Sequence, residues 1–415
     1  MITRFLTAIV VAAAAAISCT PAEPTDKGSL AVSAIESPAG PLSGEPNLAV
    51  DGAGRVYLSW LERKADSTVA LHLSVRSNGQ WSPPSTVIAR SDLFVNWADF
   101  PSVFVAPSGR IVMHWLQRSS GGKYSYNVMT RQSTDAGATW SEPRMLHDDN
   151  VAAEHGFASF FTADGDSVEA VWLDGRATGG GDHDSHDAPR GAMQLGNGRI
   201  GPDGGVSATT LIDDRICDCC QTSAAMTANG PVVVYRDRSP DEIRDISILR
   251  RVGGTWTKPA RVHADEWHIE GCPVNGPSVV ADGQFVAVAW FTGARDTAKV
   301  NLAFSSDAGA TFRAPIRVDD GKPAGRVDVE LDGSGQALVT WLERVGEDGA
   351  EVRLKRIGPT GAVPPAIVVA SSAAARASGF PRMVRAGNEV IFAWTQPGDS
   401  ARVRMATARL ARGER

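Results

Sequence analysis

Four of the five cysteines in this 415-residue chain fall at two places. Cys217, Cys219 and Cys220 stand in the segment CDCC, and Cys272 stands in GCPVNGP. Grouped thiols pair as disulfides in an oxidising compartment. As thiolates they hold a soft or divalent metal ion such as Cu(I) or Zn(II), here with His268 of WHIEGC as a further ligand. Cys219 and Cys220 suit each other poorly as disulfide partners. A trans peptide sets their Cα atoms about 3.8 Å apart, short of the usual span. A disulfide would therefore join Cys272 to Cys217 or Cys219. Two C-x-x-C segments at zinc-ribbon spacing are absent, so disulfides are the first expectation and a metal site the second.

Another group with ligand chemistry is GGGDHDSHDAPRG, where His183 and His186 alternate with Asp182, Asp184 and Asp187. Imidazole and carboxylate on a Gly-rich stretch can take a divalent ion, although a solvated loop has the same composition. Arginines recur at Arg63, Arg118, Arg176, Arg238, Arg295 and Arg344. Such residues either pair with carboxylates of neighbouring loops or clamp an anionic ligand bidentately.

A repeat must position these groups. Short apolar runs ending in an aromatic recur as VYLSW, IVMHW, VEAVW, VVVY, VAVAW, ALVTW and VIFAW, at Trp60, Trp115, Trp172, Tyr235, Trp290, Trp341 and Trp394. Each follows a Gly-bearing turn and another short strand, and each precedes a polar loop and a third strand. Four short strands per unit of this length predict an all-β chain, a β-propeller of seven four-stranded blades, with six as the alternative. The seventh unit ends after its third strand. SLAVSAIES (29–37) supplies the missing strand and closes the ring. The turns between first and second strands are short, whereas the loops at the other end are long and ionisable: NWADFP with Asp99, AAEHGF, DDRICDCCQT and WHIEGCPVNGP. That loop-rich face is expected to carry the function.

Two third-to-fourth strand hairpins read Ser133-Thr-Asp135-Ala-Gly137-Ala-Thr139-Trp140 and Ser305-Ser-Asp307-Ala-Gly309-Ala-Thr311-Phe312. Both resemble the Asp-box (BNR repeat) of the sialidase and neuraminidase propellers, and weaker relics occur at RSNGQW and RRVGGTW. The resemblance implies that these boxes are structural and lie opposite the active site. It also implies an exo-sialidase set of three arginines, a Tyr–Glu nucleophile pair and an acid Asp. The set is incomplete, because no Arg-Ile-Pro motif opens the first unit. Its candidates are Asp99, Arg176, Tyr235, Arg238, Glu242 and Arg295. Tyr235 occupies the aromatic landmark of its unit, so a packing role is expected for it.

Residues 1–19, MITRFLTAIVVAAAAAISC, carry Arg4 before an apolar run that is short for a stable span, and they read as an export signal. Ala16-Ile17-Ser18-Cys19 resembles a bacterial lipobox, which implies lipidation of Cys19 and, with Thr20 next, an outer-membrane lipoprotein facing the periplasm or the cell surface. Residues 20–28 then form a tether and 29–412 the propeller. Net charge is −6, from 41 basic and 47 acidic residues without a basic stripe, which argues against nucleic acid as a partner. The 43% hydrophobic and 21% charged residues suit a folded globular domain. The expected protein is a monomeric envelope lipoprotein, held to the membrane by its lipid, binding a carbohydrate, a protein or a metal. A sialidase-type glycoside hydrolase and a cysteine-based metal or redox protein are the alternatives.

Overall fold

The computed structural model describes residues 30–410, apart from 121 and 180–190. Seven separate antiparallel sheets account for the strands, and in six of them the strands follow chain order from the inside outward. Blade one, for example, runs Ser43–Val50, Val56–Arg63, Val69–Ser77 and then Gln80–Trp81 with Ser85–Arg90. The ring closes as the repeat predicts. Val32–Ile35 pairs with Arg402–Arg409 and becomes the outermost strand of blade seven, in the register Val32↔Ala408 to Ile35↔Met405.

The second strands read as continuous apolar runs because both their faces are covered by neighbouring blades. Trp60, Trp115, Trp172, Tyr235, Trp290 and Trp341 are fully buried, and Trp394 nearly so. Packing crosses between blades. One cluster joins Leu338 and Leu354 of blade six to Phe392 and Ala406 of blade seven, and another joins Val234 and Ile248 of blade four to Val288 and Trp290 of blade five. Burying a side chain of this size contributes about 1.5–3 kcal/mol. Stability is thus shared around the ring rather than held inside any one blade.

Strand register separates the two faces. Ile111, which follows a Gly-bearing turn, lies opposite Ser133 of the Asp-box, whereas Arg118 lies opposite Tyr126 at the far end. In each full box the serine hydroxyl accepts the glycine N–H at 2.9 Å, and the aspartate accepts the threonine N–H at 2.9 Å. Gly309 has φ +77°, and a Cβ there would meet Ile248 of the preceding blade at 2.8 Å. The boxes therefore hold hairpins against neighbouring blades at the short-turn end. The long loops occupy the other end.

Candidate functional site

The first strands of all seven blades line a central cavity of about 340 Å³. Its opening at the loop-rich end is shaped by a device used in three blades. First strands of blades one, three and six start with a register shift at Gly44-Glu45, Gly156-Phe157 and Gly325-Arg326, and the residue after each glycine has positive φ: +51°, +53° and +57°. Two of these glycines are obligatory for space. A Cβ on Gly156 would overlap Asp99 Oδ2, and one on Gly325 would overlap Asn275 Oδ1. Left-handed backbone at non-glycine residues costs on the order of 1 kcal/mol or more, and the three bends turn these strand starts in the same way at one end of the cavity.

Arg326 and Glu45 occupy this rim. Arg326 is 6% exposed, donates to the carbonyls of Ala375 and Gly379, and lies with its guanidinium 4.8 Å from the Trp97 ring centroid. Trp97 in turn stacks on Phe380, which lines the cavity. Among the described residues no carboxylate pairs with Arg326. Burial, with the nearby Arg344 and Arg376 charges, pushes its pKa down to about 10. Burial raises the Glu45 carboxyl to about 7, against the pull of Arg63, and among the described residues its Oε2 has no hydrogen-bond partner.

Asp99 lies on the cavity wall and is 1% exposed. It accepts the Phe157 N–H at 2.8 Å, and burial raises its carboxyl to about 8. The Tyr126 hydroxyl lies 3.1 Å from Asp99 Oδ2 and 2.7 Å from Glu154 Oε1. A phenol has one proton to give, and the Tyr126 hydroxyl has both carboxyl groups within donating distance, Glu154 the nearer. A Tyr–Glu pair does exist, therefore, but it is not the one considered from sequence. Tyr235 is fully buried and donates to Asp213 instead. Glu242 is held by Arg238 and Arg244 at 2.7 and 2.8 Å.

The cysteines meet at the same end. Cys217 is fixed by its N–H to the Arg236 carbonyl at 3.1 Å, where the second strand of blade four ends. Its sulfur lies 3.4 Å from that of Cys220 and 3.9 Å from that of Cys219. Cys272 lies close enough for its thiol and that of Cys219 to shift each other's ionisation, although its sulfur stands outside the three of CDCC that lie within 4.8 Å of one another. All four are free cysteines. Burial opposes ionisation of Cys217, yet hydrogen bonds from Cys219 and Cys220, with the Arg244 and Arg236 charges, hold its thiol well below the usual range. His268 is exposed and stands outside the ligand atoms that gather here. Cys217 and Cys220 are three residues apart, a C-x-x-C spacing inside CDCC that the sequence analysis did not use.

The remaining candidates are dispersed. Arg176 grips Asp174 with two hydrogen bonds of 2.8 Å, and Arg295 is exposed with φ +57°. Cys19 and the group Asp182, His183, Asp184 and His186 lie outside the described residues. Sequence reasoning missed His147, Asp149 and His155. Each Asp149 oxygen lies 2.8 Å from one imidazole, and the two rings stack 3.7 Å apart. Arg176 stands 3.4 Å from the same carboxylate, so a cation already serves that cluster.

Residues 59–244 match the family described as BNR repeat-like domain. No curated protein matches the chain. Among solved structures it is similar to the BP39L lectin from Burkholderia pseudomallei, at 12% identity over 90% of this chain and 97% of that one, with a TM-score of 0.62. It is also similar to the polysaccharide lyase Uly1, at 10% identity over 89% and 90%, with a TM-score of 0.52. The Hadza microbial sialidase Hz136 matches at 16% identity over 82% and 73%, with a TM-score of 0.48. At such identities a likeness speaks for the fold alone. With seven four-stranded blades and Asp-boxes on the short-turn face, the chain folds as a seven-bladed β-propeller, and its residues 59–244 are similar to the BNR repeat-like domain.

Proposed function

We propose that this chain is an exported, lipid-anchored protein of the cell envelope whose propeller binds an anionic ligand, of the class of an acidic sugar, at the loop-rich mouth of its channel. The export signal and Cys19 support the location. The observation that carries the ligand class is Arg326, a buried guanidinium without a carboxylate partner among the described residues, beside Arg344 and Arg376. A buried cation left unpaired costs several kcal/mol, and an incoming carboxylate recovers that cost through charge-assisted hydrogen bonds.

Calorimetric titration with uronic and sialic acids tests this. Binding is expected to weaken about tenfold or more in Arg326→Gln, while the neutral parent sugars bind weakly to both proteins. Equal affinity of the two proteins for the acids would overturn the assignment. A hydrolytic reading draws on Asp99, a neutral carboxyl on the cavity wall suited to general-acid work. The Tyr126 hydroxyl behind it is fully buried, which favours binding over covalent catalysis.

A further inference from the structure

We propose that Cys217, Cys219, Cys220 and Cys272 form a closed thiolate site for one soft metal ion of the Cu(I) or Zn(II) class, apart from the anion site at the channel mouth. The three sulfurs of CDCC have the spacing of a ligand shell, and the loop that carries Cys272 lies against them. A tetrahedral ion with metal–sulfur bonds of about 2.3 Å separates its sulfurs by roughly 3.8 Å, whereas a disulfide needs about 2.05 Å. Cys217 sits 3.4 and 3.9 Å from its two neighbours, and the three sulfurs of CDCC lie within 4.8 Å of one another.

Local structure explains how the chain achieves this. The Ile216–Asp237 bridge pins the segment to blade four, and a turn at Asp218-Cys219 brings Cys217 and Cys220 together. Gln221 fastens the second segment to the first. Its side chain donates to the Ala98 carbonyl at 2.6 Å and accepts the Gly276 N–H at 2.9 Å. A Cβ on Gly276 would overlap the Gln221 backbone, so the loop that carries Cys272 lies directly against CDCC.

Charge provides the second line of support. Three thiolates around Cu(I), or four around Zn(II), leave two negative charges. Two buried guanidiniums lie beside the sulfurs to offset them. Arg244 donates to Cys217 Sγ at 3.4 Å. Arg236 is 1% exposed and donates to the carbonyls of Asn275, Arg244 and Phe291. A metal site of this kind relies on such partners to hold its ligands ionised and oriented. Cys272, the exposed member, marks the side from which an ion enters.

The test uses the full chain, reduced and then offered Zn(II) alone or Cu(I) alone. One ion per chain is expected after dialysis, with the four clustered thiols shielded from an aromatic disulfide reagent until a chelator is added. Cys219→Ser should weaken metal affinity by about tenfold or more, and so should Cys272→Ser, whose exposed position spares the fold. Native circular dichroism of each variant separates ligand loss from unfolding. Failure to retain either ion, or unchanged affinity in a natively folded Cys272→Ser protein, would overturn the four-ligand site. Disulfide-linked peptides in protein isolated without oxidant would overturn it too. Arg326→Gln should leave metal retention unchanged, so this result and that of the anion site are read separately.

Discussion

The Tyr126 hydroxyl lies 2.7 Å from Glu154 Oε1, with Asp99 on its other side at 3.1 Å. These residues come from three separate segments, and only the packing of blade two against blade three brings them together. Gly156 is required beside them, because any side chain there would occupy the place of the Asp99 carboxyl. The result is a carboxyl on the channel wall whose pKa burial raises, backed by a phenol that solvent does not reach.

Asp99 and Glu45 make stability depend on pH. Their folded pKa values, about 8 and about 7, lie above the ordinary 3.8 and 4.5. The fold therefore binds more protons than the unfolded chain. The stability these groups contribute is full below about pH 4 and is lost as pH rises through about 7 to 8. Denaturant unfolding should show a loss of about 2 kcal/mol or more between pH 5 and 8. In Asp99→Asn, whose amide reproduces the donor and the acceptor, that decline should be clearly shallower. Parallel curves for the two proteins would contradict a neutral Asp99.

Gly309 of the second full box combines φ +77° with close approach to Ile248. Gly309→Ala should cost about 1–3 kcal/mol in equilibrium unfolding. Gly52→Ala, where nothing lies within 4 Å of the added Cβ, should stay within about 0.5 kcal/mol of the parent. Equal effects would show that the box does not brace the blades.

Cys19→Ala should move the protein from the membrane fraction into the soluble periplasm, as seen by fractionation and immunoblotting. Persistence in the membrane fraction would contradict lipid anchoring at this residue.

Turnover of a general sialoside should be absent at enzyme-like rates. Tyr235→Phe should lower stability by about 1 kcal/mol through loss of its bond to Asp213, with no catalytic consequence. Robust hydrolysis that disappears in both Tyr235→Phe and Glu242→Gln would reverse this assignment.

Strand order and ring closure are legible in the chain because the second strands are buried on both faces. Trp60 and its counterparts repeat for that reason, and SLAVSAIES had no other strand to complete. The rim is less legible. Glu45 and Arg326 carry no motif, and what aims them is a reversal of backbone sign after glycine that composition does not reveal. Tyr126 hides as the first residue of an ordinary third strand, and Glu154 and Asp99 lie in different loops. The cysteines were visible as a group. The distances that distinguish a ligand shell from a cross-link depend on how Gln221 joins two loops, and that is a property of the folded chain alone.

Val32–Ile35 completes a sheet whose other strands, ending with Arg402–Arg409, come from the opposite end of the chain. Of the described strands, this one is made first and finds its partner only after the last described blade has been made. Closing so long a loop carries a large entropic cost before any contact rewards it, which makes this pairing a late event in folding. Loss of Val32–Ile35 would leave the edge of Arg402–Arg409 unpaired, and loss of Arg402–Arg409 would leave both its neighbours unpaired on that side. The seam therefore ties the first and last described strands into one sheet, so that a change at either one is felt in the same blade.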